Sequence, residues 1–160
     1  MLVVRGTKKF LERVGPAAPE GPASSGVLGD WYANVWFWRP QVVVFVNERS
    51  LLPVLVPLAP AVSVLSRFPA EFAQLARRIG VGHAALDQEL DAMEERVLAR
   101  TASRSVLGTM NEFGHLADNY RWRNDVIELV ELSLWLAEVP CRPLFGSEGS
   151  PDREVRVLLR

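Results

Sequence analysis

Between Trp31 and Pro57 the chain carries three apolar segments, WYANVWFW, QVVVFVNE and LLPVLVP, and this run limits what everything else can be. The first segment alternates. Trp31, Ala33, Val35 and Phe37 face one way and Tyr32, Asn34, Trp36 and Trp38 the other, the two-residue period of a strand. The second is apolar on both faces, as a central strand is, and the prolines of the third suit an edge. Arg39-Pro40 and the stretch Asn47 to Ser50 supply the turns, so residues 31–57 read as an antiparallel meander of three strands.

The remaining segments add helices and further strands. MLVVR is a short strand, followed by a helix, TKKFLERVG, which Thr7 caps and Gly15 and Pro16 stop. PAEFAQLARRI, residues 69–79, opens with proline in its first turn, sets Phe72, Leu75, Ala76 and Ile79 on one stripe and ends at Gly80. AALDQELDAME is a helix and RVLARTA a strand. SRSVLGTMNEFGHLADNY, residues 103–120, is the next helix, and DVIELVELSLWLAE, capped by Asn124 or Asp125 and stopped by Pro140, the longest. The expectation is one α+β domain over residues 1–160. Its sheet is antiparallel, the 31–57 meander plus strands near 1–5 and 96–101, with helices packed mainly on one face. Pro, Gly and Ser crowd residues 15–27, which read as a mobile loop. The tail 141–160 carries the weakest pattern, although REVRVLLR alternates as a last strand would.

Eighteen basic and nineteen acidic residues leave a formal charge of -1, with no overall positive field to draw a phosphate backbone, so nucleic acid is a disfavoured partner. Cys141 is the only cysteine, which rules out an internal disulfide and fits a reducing compartment. The longest apolar stretch is broken by Asn47, Glu48, Arg49 and three prolines, so no membrane span is expected. A cytoplasmic protein follows.

The 103–120 helix draws attention because it tolerates two glycines. Val106, Met110, Phe113, Ala117 and Tyr120 share a buried sector, and Gly114 at its edge would let the helix approach a sheet. Gly108 lies on the other side, in a row with Arg104, Asn111, His115 and Asp118, flanked by Glu112. That row is either an ordinary solvated face or a ligand-binding notch, in which His115, Glu112 and Asn111 are the catalytic candidates.

Other chemistry has less support. Glu112 and His115 have the E-x-x-H spacing of carboxylate-bridged metal helices, but only one copy exists, so neither metal nor cofactor is expected. Cys141, between prolines, reads as a buried or incidental thiol. Gly6-Thr7-Lys8 stands between strand and helix as the end of a phosphate-binding loop does, yet the loop itself is missing, and a surface turn accounts for it better. His83 falls at a helix start. Tyr120, Arg121, Trp122 and Arg123 interleave aromatic and cationic groups, which suits a helix junction or a grip on single-stranded nucleic acid. Trp36 and Trp38, if exposed, would mark a protein interface.

LGDWYAN (Leu28 to Asn34), FVNERSL (Phe45 to Leu51) and RSVLGTMNEF (Arg104 to Phe113) resemble the signature segments of a bacterial family catalogued as a domain of unknown function. The resemblance runs over most of the chain. It implies that the 104–113 helix matters to that family and carries no activity, cofactor or catalytic residue with it. The first expectation is therefore a non-catalytic binding or regulatory module acting through protein–protein contacts, with self-association compatible. One alternative is a small enzyme or ligand-binding protein using the notch around Gly108, Asn111 and His115, with Arg104 holding an anion. A second is a weak single-stranded nucleic-acid binder using Arg121, Trp122 and Arg123.

Overall fold

The computed structural model describes residues 1–19 and 22–160. Five strands, β1 (Leu2–Gly6), β2 (Trp31–Trp36), β3 (Val42–Asn47), β4 (Pro53–Pro57) and β5 (Arg96–Arg100), form one sheet in the order β4-β3-β2-β1-β5. The meander is antiparallel as its turns require, with Ala33 opposite Phe45 and Phe45 opposite Val54. The α+β class holds, but the sheet is mixed: β1 runs parallel to both β2 and β5. The reason lies in the connections. A parallel partner needs a crossover of a dozen residues or more, and residues 7–30, with α1 (Lys8–Val14) at their start, return the chain to the end from which β1 began. β5 reaches the far side of β1 after α2 (Val64–Ile79) and α3 (His83–Asp91).

Both faces of the sheet are covered. On the first, Val4, Trp31, Ala33, Val35, Val43, Phe45, Val54 and Val56 meet Phe10 of α1, Phe68, Phe72 and Leu75 of α2, Leu86 of α3 and Val155 of α6 (Pro151–Leu158). Trp31 is wholly buried there, edge-on to Phe68 and Phe72 at 4.8 and 5.4 Å, and its indole N–H is the one buried side-chain polar atom without a partner among the described residues. On the second, Tyr32, Val42, Val44, Val46 and Leu55 meet α4 (Arg104–Arg123). Helices lie mainly on the first face by number, but the longest helix takes the second, because the alternate residues of β3 are apolar too and all six are buried. Strands without a polar face have to be sandwiched.

α5 (Leu129–Ala137) straddles the β4 edge, giving Leu132 and Leu136 to the second cluster and Ala137 to the first. Its Ser133 hydroxyl donates to the Leu129 carbonyl at 2.7 Å and accepts the Leu55 N–H of β4 at 3.1 Å, satisfying an edge-strand donor.

Several boundaries differ from the sequence reading. α2 starts five residues before Pro69, so that proline is interior and one intrahelical bond is forgone. α5 has 9 residues against the 20 of α4, and Asn124 closes α4 by donating from Nδ2 to the Tyr120 carbonyl at 2.8 Å rather than capping α5. The tail forms α6 instead of a strand. Ser150 and Pro151 start it, and Val155 and Leu159 fall one turn apart on the buried side, a pattern that strict alternation over so few residues also satisfies. In the 15–27 segment, Glu20 and Gly21 lie outside the described residues. In its described part the Ala18 amide donates to the Leu98 carbonyl, Ser24 Oγ accepts the Val3 N–H, and the Ser25 amide donates to the Met1 carbonyl.

Two of the quoted motifs explain each other in this frame. Asn47, wholly buried, donates through Nδ2 to the carbonyls of Leu28 and Asp30 at 2.9 and 3.2 Å and accepts at Oδ1 from the amides of Arg49 and Ser50 and the Ser50 hydroxyl. Glu48 accepts the Asp30 N–H, and Arg49 donates to the Val27 carbonyl. Gly29 turns with φ +75, in the left-handed region, and a side chain there would run into the Glu48 carboxylate. From below, the buried Glu89 carboxylate of α3 accepts the amides of Val27 and Leu28. LGDW and NERS are thus two halves of one hydrogen-bonded joint. Replacing Asn47 by alanine strips several backbone groups of their only buried partner, and chemical denaturation should show a loss of about 2–4 kcal/mol.

Candidate functional site

α4 begins where Ser103 Oγ accepts the Val106 N–H at 3.2 Å and the Ser103 amide donates to the Tyr32 hydroxyl at 3.0 Å. Val106, Met110, Phe113 and Ala117 are buried, as their spacing predicts, while Tyr120 at the end of the same sector is half-buried and Thr109 is buried beside it. Gly114 faces Trp36, but an added Cβ would lie 3.6 Å from the indole Nε1, an ordinary contact, so close approach does not by itself require glycine.

The opposite row is exposed along its length. Arg104, Gly108, Asn111, Glu112, His115 and Asp118 all lie on the surface, and a Cβ at Gly108 would meet nothing within 4 Å. Among the described residues, no side-chain hydrogen bond or ion pair joins His115, Glu112 or Asn111 to another element. Among the described residues, no group of three or more His, Cys, Asp or Glu side chains is arranged to hold a metal ion. Cys141 is buried in the second core cluster, where desolvation and then the Glu112 carboxylate push its thiol up to about 11, the opposite of an activated nucleophile.

What the structure does bring together is the far end of α4 and the end of β2. Trp36 and Trp38 are half-buried with ring centroids 5.1 Å apart, and the Arg121 guanidinium lies 4.2 Å over the Trp38 ring. Arg121 also approaches Asp118 at 3.8 Å. The row of α4 does not stop at Asp118: one turn on, Trp122 continues it, 90 % exposed. The same heptad-like count from Arg104 that yields Asp118 yields Trp122 next, so the sequence held this signal. A hollow of about 420 Å³ sits beside Asp118, Arg121 and Trp122. Tyr120, on the neighbouring side, packs on Trp135 of α5 at 5.2 Å, and a second hollow of about 310 Å³ opens there between Leu116, Arg123 and Trp135. Arg121 on Trp38 thus joins two segments more than 80 residues apart in the chain into one aromatic and cationic corner, with Trp122 beside it.

A family model described as a domain of unknown function, DUF6933, matches residues 3–154, and the chain belongs to that family. No curated protein and no solved structure matches it.

Two outcomes follow from this geometry. Gly108→Ala places a methyl in open space on a helical residue and should raise stability by about 0.5–1 kcal/mol, read as a higher unfolding midpoint. The Cys141 thiol keeps its proton in the folded state above its ordinary value of 9.0, while the unfolded chain loses it. The associated stability is intact below pH 9 and falls as pH rises toward about 11, by on the order of 2 kcal/mol. Denaturation of Cys141→Ala across that interval should lack this component of the decline.

Proposed function

We propose that this member of the DUF6933 family is a non-catalytic binding module that meets a protein partner through the corner formed by Trp38, Arg121 and Trp122. The observation that carries the reading is Trp122: a large aromatic ring held out from the last turn of a well-anchored helix, beside a guanidinium already stacked on a second indole. Tryptophan, tyrosine and arginine dominate the residues that supply binding energy at protein interfaces. Arg39 next to Trp38, and Arg121 and Arg123 on α4, flank the rings with positive charge, with Asp118 beside Arg121 as the nearby carboxylate. The fitting partner is an acidic segment of another protein that carries an apolar anchor. A cytoplasmic setting suits the reading, since the single thiol is free and buried, and no helix among the described residues is long and apolar enough to cross a membrane.

The same corner also has the composition of a stacking platform for single strands, and one experiment separates the two. Peptides selected from a random display library against the chain should carry Asp or Glu around an aromatic residue. Trp122→Ala should weaken their binding by roughly 30-fold, the effect of losing about 2 kcal/mol at a hot spot. Selected peptides that bind Trp122→Ala and Arg121→Ala as tightly as the parent would overturn the reading. So would a fluorescent oligothymidine retained at low salt through these residues in the absence of peptide binding, which would move the assignment to nucleic acid.

A further inference from the structure

The carboxyl ends of β1 and β5 lie side by side, with Gly6 opposite Arg100 in parallel register. From that point the chain departs in opposite directions. β1 leads into α1, whose Phe10 is buried on the first face of the sheet, while β5 leads into α4, whose Val106 is buried on the second. Adjacent parallel strands whose following connections go to opposite faces leave a crevice between their carboxyl ends, and in open sheets that is where ligands settle. A cleft of about 640 Å³, inside the usual range for small-molecule sites of roughly 300–1,000 Å³, opens at these strand ends, between α1 with residues 15–17 on one side and Arg100 and Thr101 at the end of β5 on the other.

Its lining has a definite chemistry. Lys8 and Arg100 contribute side chains that are exposed and, among the described residues, engaged in no ion pair. Arg5 differs: its Nε is paired with Asp30 at 2.7 Å while Nη1 donates to the Arg100 carbonyl at 3.0 Å, which ties the two strand ends together. Leu11, Pro16 and Ala17 form apolar wall, and Glu12 adds an acceptor. Gly6 allows α1 to start directly on the strand, since a Cβ there would stand 2.6 Å from Phe10. The Gly6-Thr7-Lys8 turn, which in sequence resembled only a truncated phosphate loop, thus forms one side of a cleft whose other cation arrives from β5.

We propose that this cleft binds a small organic anion, its phosphate or carboxylate group between Lys8 and Arg100 and its apolar body against Leu11, Pro16 and Ala17. Lysine and arginine side chains in a cleft with low-dielectric walls give charge-assisted hydrogen bonds to such a group. Glu12 favours a ligand that also carries a hydroxyl or amine.

Amide chemical-shift titration of the intact chain tests this with phenyl phosphate, benzoate, phenol and inorganic phosphate as probes. One or both aromatic anions should shift the amides of Gly6, Lys8, Gly15, Arg100 and Thr101 saturably at millimolar concentration, and whichever binds more tightly identifies the acid group. Phenol should leave them unmoved, and inorganic phosphate should bind more weakly than phenyl phosphate. The double variant Lys8→Gln, Arg100→Gln, whose spectrum reports that it is folded, should lose affinity by on the order of tenfold or more. The inference is overturned if neither aromatic anion moves these amides, if the shifts fall elsewhere, or if the double variant binds as the parent does. Trp122→Ala should bind the probes unchanged, which separates this site from the protein-binding corner.

Discussion

The structure depends on β3 having no side that tolerates water. Every residue from Val42 to Asn47 is buried, and the one polar member, Asn47, is consumed in hydrogen bonds at the strand's end. Each fully buried valine or phenylalanine is worth about 1.5–3 kcal/mol relative to exposure, so exposing either face would cost more than a domain of this size has to spare. The arrangement of the helices follows: α2 over one face, α4 over the other, and α5 across the margin where the two layers would otherwise part. Even the polar joint between LGDW and NERS serves this end, because it fastens the segment before β2 onto the turn after β3 and so fixes the register of the two strands on which α4 packs.

That same demand separates the roles of the two sides of α4. Its inner stripe closes the second core layer, and its outer row is left with no structural duty. A solvated helix face normally ends in charged or polar residues. This one ends in Trp122, and the same turn of the helix is anchored through Arg121 to the indole of Trp38, just past the end of β2. For the binding proposed above, the anchoring matters. A ring presented on a helix that is already ordered loses less conformational freedom on association than one on a loose segment.

How far this could be read from the chain varies with the physical signal. The meander was legible because alternation of Trp31, Ala33 and Val35 against Tyr32 and Trp36 has a period that only a strand satisfies, and both sets went to the expected sides. The direction of β1 was not, since LVVRG contains nothing that states which strand it will lie beside; that is decided by the length of the crossover and by the return of the chain from α3. REVRVLLR misled because its apolar residues fit both two-residue and four-residue spacing, and the start signal at Ser150-Pro151 carried the information. Asn124 and Asp125 both suit a helix start, yet Asn124 closes α4 and α5 begins only after Glu128. The outer row of α4 was legible as a row, with a solvated face as one of its two readings, and its residues are exposed; the pairing of Trp38 with Arg121 is a tertiary contact that no spacing reports. The cleft at Lys8 and Arg100 was out of reach for the same reason: its two cations are brought together by a parallel register between strands some ninety residues apart.

The Ser133 hydroxyl beneath β4 has a counterpart at the other margin, where the Ala18 amide occupies the Leu98 carbonyl of β5. Each plug is a single hydrogen bond, yet each sits where an incoming extended chain would need an unbroken ladder of free backbone groups. Donated strands, exchange of segments between copies and fibril-like stacking all begin with such a ladder. With one group of each rim already taken, a strand added at either edge would have to pair around it, which makes edge-to-edge addition the less favourable way for this sheet to meet another chain.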